Sequence, residues 1–116
     1  MSVNLAVVAG TCSSPAQTRV LPSGVALVSL QLTTRTEQGA VSVPVVVADP
    51  PAFVETLDTG DEVVVLGRCR RRFFRAGRGT GSRVEVEASS VVPAHDRRRV
   101  GAIVRRAVAA LDALSA

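Results

Sequence analysis

At 116 residues, 47% of them hydrophobic, the chain can bury a core without disulfides and has room for one domain plus an appendage. Its formal net charge of +4 is unevenly spread: residues 1–67 carry two arginines against six acids, residues 68–83 seven arginines and no acid, residues 84–94 two glutamates, and residues 95–116 five arginines against two acids. Such localised basic charge suits a binding stripe better than general solubility, and no segment approaches the roughly 20 apolar residues needed to span a membrane.

Val3 to Gly10 is an apolar, β-branched run, expected as a strand and ended by Gly10 and the polar Thr11–Pro15. The opening MSVNLAVVAG has no basic flank and too short an apolar run for a signal peptide. Gln17 to Leu21 is expected to continue that strand after a bend, and Leu21-Pro22-Ser23-Gly24 to form a turn. Val25 to Thr34 follows as a strand with Ala26, Val28, Leu30 and Leu32 on one face. After a turn at Thr36–Gly39, Val41 to Val47 makes a third strand, which Pro44 marks as an edge or irregular one.

Asp49-Pro50-Pro51 then opens a short helix, with Asp49 as the cap, Phe53, Val54 and Leu57 on its apolar face, and Gly60 as its stop. Asp61 to Phe74 is a long strand with two faces: Val63, Val65, Gly67 and Cys69 on one, Val64, Leu66, Arg68, Arg70, Arg72 and Phe74 on the other. Ala76 to Gly81 is expected as a glycine-rich hairpin loop, and Ser82 to Val92 as the last strand, with Val84, Val86 and Ala88 inward and Glu85 and Glu87 outward. Five strands with one short helix between the third and fourth is the order of an OB-fold barrel, an all-β class. We place this domain at residues 1–94.

Residues 95–116 read differently. Val100, Ile103, Val104, Ala107, Val108, Leu111 and Leu114 fall within an arc of roughly 140° at helical spacing. A C-terminal amphipathic helix of this length needs a surface to cover. That surface is the chain's own sheet, a second subunit or a membrane, and the lack of large aromatics counts against the membrane.

The stretch Arg68–Arg83, RCRRRFFRAGRGTGSR, carries the chemistry. Arginines supply attraction to phosphate, and aromatic rings and guanidinium planes supply surfaces on which bases stack. Phe73 and Phe74 point to opposite sides of their strand, so at most one is expected as a platform and the other in the core. Phe74, which shares parity with Arg70 and Arg72, is the expected platform. A solvated strand end with both phenylalanines in the core is the plain alternative. Arginine is the sole basic residue type besides His95; it forks onto phosphate, though codon bias yields the same pattern. Ala76–Gly81 resembles a phosphate-cradling loop only in composition, since it opens no helix and lacks the lysine of a P-loop.

Cys12 and Cys69 have no metal-ligand spacing and read as free thiols in a reducing cytoplasm. His95 stands alone beside Asp96, and no carboxylate pair, nucleophilic triad or metal-ligand cluster is visible. Neither enzyme activity nor a cofactor is therefore expected.

Several segments, taken together, resemble the bacterial single-stranded-DNA-binding proteins. Asn4–Gly10 looks like that family's opening N-x-apolar₄-G, and Arg19–Gly24 is similar to its R-aromatic-x-P-x-G turn. Leu30–Thr34 resembles its φ-x-L-x-T strand, and Leu57–Arg68 its L-x-x-G-x-x-V-x-V-x-G-x. Arg70–Phe74 occupies the place of R-x-R-x-W, and Glu85-Val86 that of an E-V pair. The likeness spans roughly residues 3–92, and its specificity lies in the order and spacing of the motifs.

The resemblance implies an OB-fold, a homo-oligomer (tetramer or dimer) and binding of single-stranded DNA without strong sequence preference, in the cytoplasm and associated with the nucleoid. It places Phe74 at a base-stacking position and Arg70 and Arg72 at backbone contacts, with Arg19 and Arg35 near polar or basic contact positions. Arg68, of the same parity, and Arg78, in the hairpin loop, complete the expected DNA-binding set. The expected oligomer contacts are Val3, Leu5, Val7, Ile103, Val104 and Leu111. The chain departs from the family in lacking Trp and Tyr, so affinity is expected to lean on charge. It ends without a glycine-rich tail and acidic tip, so recruitment of other proteins through such a tip is not expected. RNA stays open as a ligand, because stacking and phosphate contact do not read the sugar. A module of the second kind, an oligomeric OB-fold with little DNA affinity, is the competing expectation.

Overall fold

The computed structural model describes residues 2–115. The elements run β1 (Ala6–Cys12), β2 (Gln17–Val20), β3 (Ala26–Thr36), β4 (Gly39–Ala48), α1 (Ala52–Glu55), β5 (Glu62–Ala76), β6 (Gly79–Pro93) and α2 (Arg97–Asp112), with a final 3-10 turn at Ala113–Ser115. The strands form one sheet in the order β1-β5-β6-β4-β3-β2, and further pairing of β1 with β3 bends it into a ring. All pairings are antiparallel except β4 with β6, where Val45–Val47 run alongside Val86–Ala88. The ring is fastened by Thr11↔Thr33 and Cys12↔Leu32.

Two apolar layers follow from strand alternation. Inside the ring lie Val28, Leu30, Leu32, Val45, Val47, Val63, Val65, Val86 and Val91, joined by Val54 and Leu57 from α1 and its exit. On the outer side, Val64, Leu66 and Val92 meet Ile103 and Ala107 of α2. Thus α2 covers its own chain's sheet, one of the three surfaces its pattern allowed. Only part of its apolar arc is used: Ile103 and Ala107 are buried, whereas Val104, Val108 and Leu111 are exposed. Asp96 caps α2, its carboxylate accepting from the Arg99 amide at 3.1 Å.

Four expectations are corrected. Gln17–Val20 is a separate strand on the sheet's edge, making six strands rather than five. Asp49 does not cap α1: it has φ of +48° and donates its amide to Ala26 at 2.8 Å, closing β4 instead, while Pro51 holds the cap position with no side-chain bond. Gly60 does not stop the helix, which ends at Glu55, but takes φ of +95° in the turn leading to β5. The six-residue loop is absent, because β5 and β6 pair up to Ala76↔Gly79 around the two residues Gly77 and Arg78. Gly77, with φ of +59°, supplies the positive φ that a tight hairpin turn requires at its first central position.

The two cysteines differ in reach, Cys12 being buried and Cys69 exposed. Burial chiefly, and then the Asp61 and Asp58 carboxylates, push the Cys12 thiol above its ordinary value. Thiol titration should therefore count one reactive cysteine in the folded protein and two in denaturant. Below the unfolded thiol's pKa, about 8.5, both states keep the proton and Cys12 adds no pH dependence. Above it the unfolded chain releases the proton first, so stability should fall as pH rises towards the folded value. Cys12→Ala should lack that alkaline component in pH-dependent melts.

Candidate nucleic-acid interface

The ring explains why β5 and β6 project beyond it. β1 accompanies β5 only as far as Ala6↔Gly67, and β4 accompanies β6 only over Val86–Ala88. From Arg71 and Val84 outward, the two strands form a ribbon of their own. Its base is tied by Asn4, whose side-chain amide donates to the Cys69 carbonyl at 2.7 Å and accepts from the Cys69 amide at 2.8 Å. A side chain thus adds one more rung to the β1–β5 ladder.

Register fixes what each face shows. On the outer face, continuous with the layer under α2, Arg68 stands opposite Glu87, Arg70 opposite Glu85, Arg72 opposite Arg83 and Phe74 opposite Gly81. On the inner face Arg71 stands opposite Val84 and Phe73 opposite Ser82, with an Arg71–Ser82 side-chain bond of 3.0 Å. Arg78 is at the tip.

The outer arginines are not all free. Arg68 donates to Glu87 at 2.9 Å, and Arg70 bridges both carboxylates, at 2.8 Å to Glu87 and 3.2 Å to Glu85. Arg72 approaches Glu85 only to 3.9 Å. Glu85, expected to point outward, does lie on the outer face but is 1% exposed. Its Oε1 is buried without a hydrogen-bond partner. Solvent competes for the exposed pairs such as Arg68–Glu87, which makes their contribution small, about 0–1 kcal/mol. What they do is hold the guanidinium groups in a row.

Both phenylalanines are exposed, Phe73 to 67% and Phe74 to 41%. This corrects the expectation that one of them belongs to the core: both sit beyond the ring, where neither face is covered. The Phe74 ring lies over Gly81, where an added Cβ would come within 2.7 Å of it. A glycine is what leaves room for the ring there.

The other anticipated residues are dispersed. Arg19 is exposed on the edge strand β2. Arg35 helps line a hollow of about 520 Å³ with Ala9–Ser13, Thr33, Thr34, Glu62, Val63 and Ala94. Neither lies on the ribbon. Of the anticipated oligomer contacts, Val3, Val7, Val104 and Leu111 are exposed, Leu5 packs partly into the layer under α2, and Ile103 is 1% exposed and committed to its own chain. Val108, outside that set, is exposed as well. Among the described residues no group of three or more His, Cys, Asp or Glu could hold a metal ion, and no helix is long and apolar enough to cross a membrane.

No protein-family model matches the chain, and no curated protein matches it significantly. The likeness described above rests on its motifs alone.

Proposed function

We propose that the chain is an OB-fold protein of the single-stranded-DNA-binding kind, and that it binds unpaired DNA with little sequence preference along the β5–β6 ribbon. The observation that carries this reading is the composition of that ribbon. It carries seven arginines between Arg68 and Arg83 against two carboxylates, Glu85 and Glu87, and two exposed rings stand among them. Guanidinium groups attract the backbone and rings accept bases of any identity. The motif order from Asn4 to Val86 gives independent support. On this reading the protein works as a homo-oligomer in the cytoplasm, at the nucleoid, with no cofactor and no catalytic step.

A titration of fluorescently labelled oligo(dT) at two salt concentrations tests it. Each phosphate neutralised on a single strand contributes about −0.7 to the slope of log K against log salt. With four or more arginines engaged, affinity should fall steeply between low and moderate salt. A flat response would reject the electrostatic mechanism. An equal titration with oligo(rU) separates DNA from RNA preference.

One set of observations favours the second reading, an oligomeric OB-fold module with little DNA affinity. Glu85 and Glu87 already engage Arg68 and Arg70, and α2 leaves Val104, Val108 and Leu111 exposed. Under that reading light scattering finds an oligomer while oligo(dT) fails to bind at either salt concentration.

A further inference from the structure

The outer face of the ribbon changes character along its length. Near the ring, each arginine has a carboxylate opposite it. Further out the pattern breaks: Arg72 faces Arg83 directly. Like charges opposite one another on adjacent strands repel and destabilise the pairing. Relief is partial and one-sided: Arg72 reaches only to 3.9 Å from Glu85, and among the described residues Arg83 enters no ion pair. The two arginines line a hollow of about 210 Å³, and the third residue lining it is Phe74.

We infer that this hollow is a phosphate subsite, in which one phosphodiester of a single strand is gripped between Arg72 and Arg83 while the adjoining base lies on Phe74. An anion held between the two forks accepts hydrogen bonds from both and offsets the repulsion between them. The same arrangement is unfavourable when empty. Glu85 has a positioning part: through its weak pull on Arg72 it holds that side chain at the edge of the hollow without neutralising it. Gly81, opposite Phe74, leaves room for the platform. The ligand rests on the single-stranded-DNA reading; the anion site does not.

Arg83→Gln tests the inference because it predicts effects of opposite sign. Without ligand, removal of the repulsion should raise the thermal midpoint. With oligo(dT), affinity should fall about tenfold and the salt slope should shrink by about 0.7, the value of one phosphate. Arg83→Lys, which keeps the charge and loses the fork, should fall between the two. Arg98→Gln, a charge-matched change on exposed α2, should leave affinity within about twofold, since nonspecific attraction is shared among many charges. Inorganic phosphate followed by amide NMR provides a test independent of DNA: residues 72, 74, 81 and 83 should shift saturably in the wild type and not in Arg83→Gln. If the wild type binds oligo(dT) but Arg83→Gln behaves as Arg98→Gln does, the subsite is wrong and the proposed function stands. If oligo(dT) fails to bind while phosphate still shifts those amides, the function is wrong and the subsite stands. If neither ligand acts, both are rejected.

Discussion

Replacing Phe73 and Phe74 together with alanine should lower affinity for oligo(dT) by roughly ten- to a hundredfold, since a stacked base contributes about 1–3 kcal/mol and the two rings lie on opposite faces of the ribbon, so that one strand stacks on one of them. The same variant should melt within about 2 °C of the wild type, because both rings are exposed beyond the ring of strands and substitutions at such positions usually change stability little. The effect is large because few platforms exist. The chain has three aromatic residues, all phenylalanine, and Phe53 packs against the interior layer. Anisotropy and a thermal melt on one preparation suffice. Retention of near-native affinity would show that bases do not stack on this ribbon.

The aromatic pair is a cleaner test than Arg70, Arg72 and Phe74 changed together. Truncating Arg70 and Arg72 would deprive Glu85 of both of its cations, and an uncompensated buried carboxylate costs folding stability. Lost binding would then be ambiguous between a missing contact and a damaged hairpin. Phe73 and Phe74 touch neither carboxylate in any hydrogen bond or ion pair.

Much of this arrangement was legible in the sequence, and the misses have definite causes. Strand alternation placed Arg68, Arg70, Arg72 and Phe74 on one side of β5, and the register agrees. The helical arc of α2 was legible too, but a periodicity cannot say how much of an arc the chain itself will cover, and here Val104, Val108 and Leu111 are left over. The costliest misreading was the turn. Six residues rich in glycine suggested a loop, and a loop leaves cross-strand register undefined. A two-residue turn at Gly77-Arg78 fixes every pair behind it: Arg72 with Arg83, Arg70 with Glu85, Arg68 with Glu87. With that register in hand, both the carboxylates beneath the arginine row and the like-charged Arg72–Arg83 pair follow from residue numbers alone. The exposure of Phe73 was a different kind of miss. Adjacent aromatics suggest one ring in and one out, but that holds only where a sheet has a covered side, and no local pattern marks where β5 leaves the ring.

Gly67→Ala should be strongly destabilising, costing about 3 kcal/mol, the upper end of what overpacking usually costs. For a chain of this size that corresponds to a drop of roughly 10 °C in the thermal midpoint. A Cβ at Gly67 would overlap the Glu87 carbonyl oxygen and lie 2.9 Å from the Ala88 Cα. Both are backbone atoms, so no rotamer change relieves the contact. The closeness arises from a bulge: β5 and β6 pair Leu66↔Ser90 and then Gly67↔Ala88, leaving Ser89 as an extra residue whose hydroxyl donates to the Leu66 carbonyl at 3.2 Å. That extra residue reverses the facing of β6. Val92 points outward beneath α2, yet Val86 points into the ring and Glu85 and Glu87 turn to the arginine side. Without the bulge the glutamates would enter the apolar interior and the valines would lie under the guanidinium groups. Relief of the clash by β6 moving away would therefore loosen the carboxylates beneath Arg68 and Arg70 as well as the fold. Gly67→Ala should thus show weakened oligo(dT) binding even at temperatures where it is fully folded. A variant that melts like the wild type would mean that the two strands do not approach this closely at Gly67, and the account of how the arginine row is organised would fall with it.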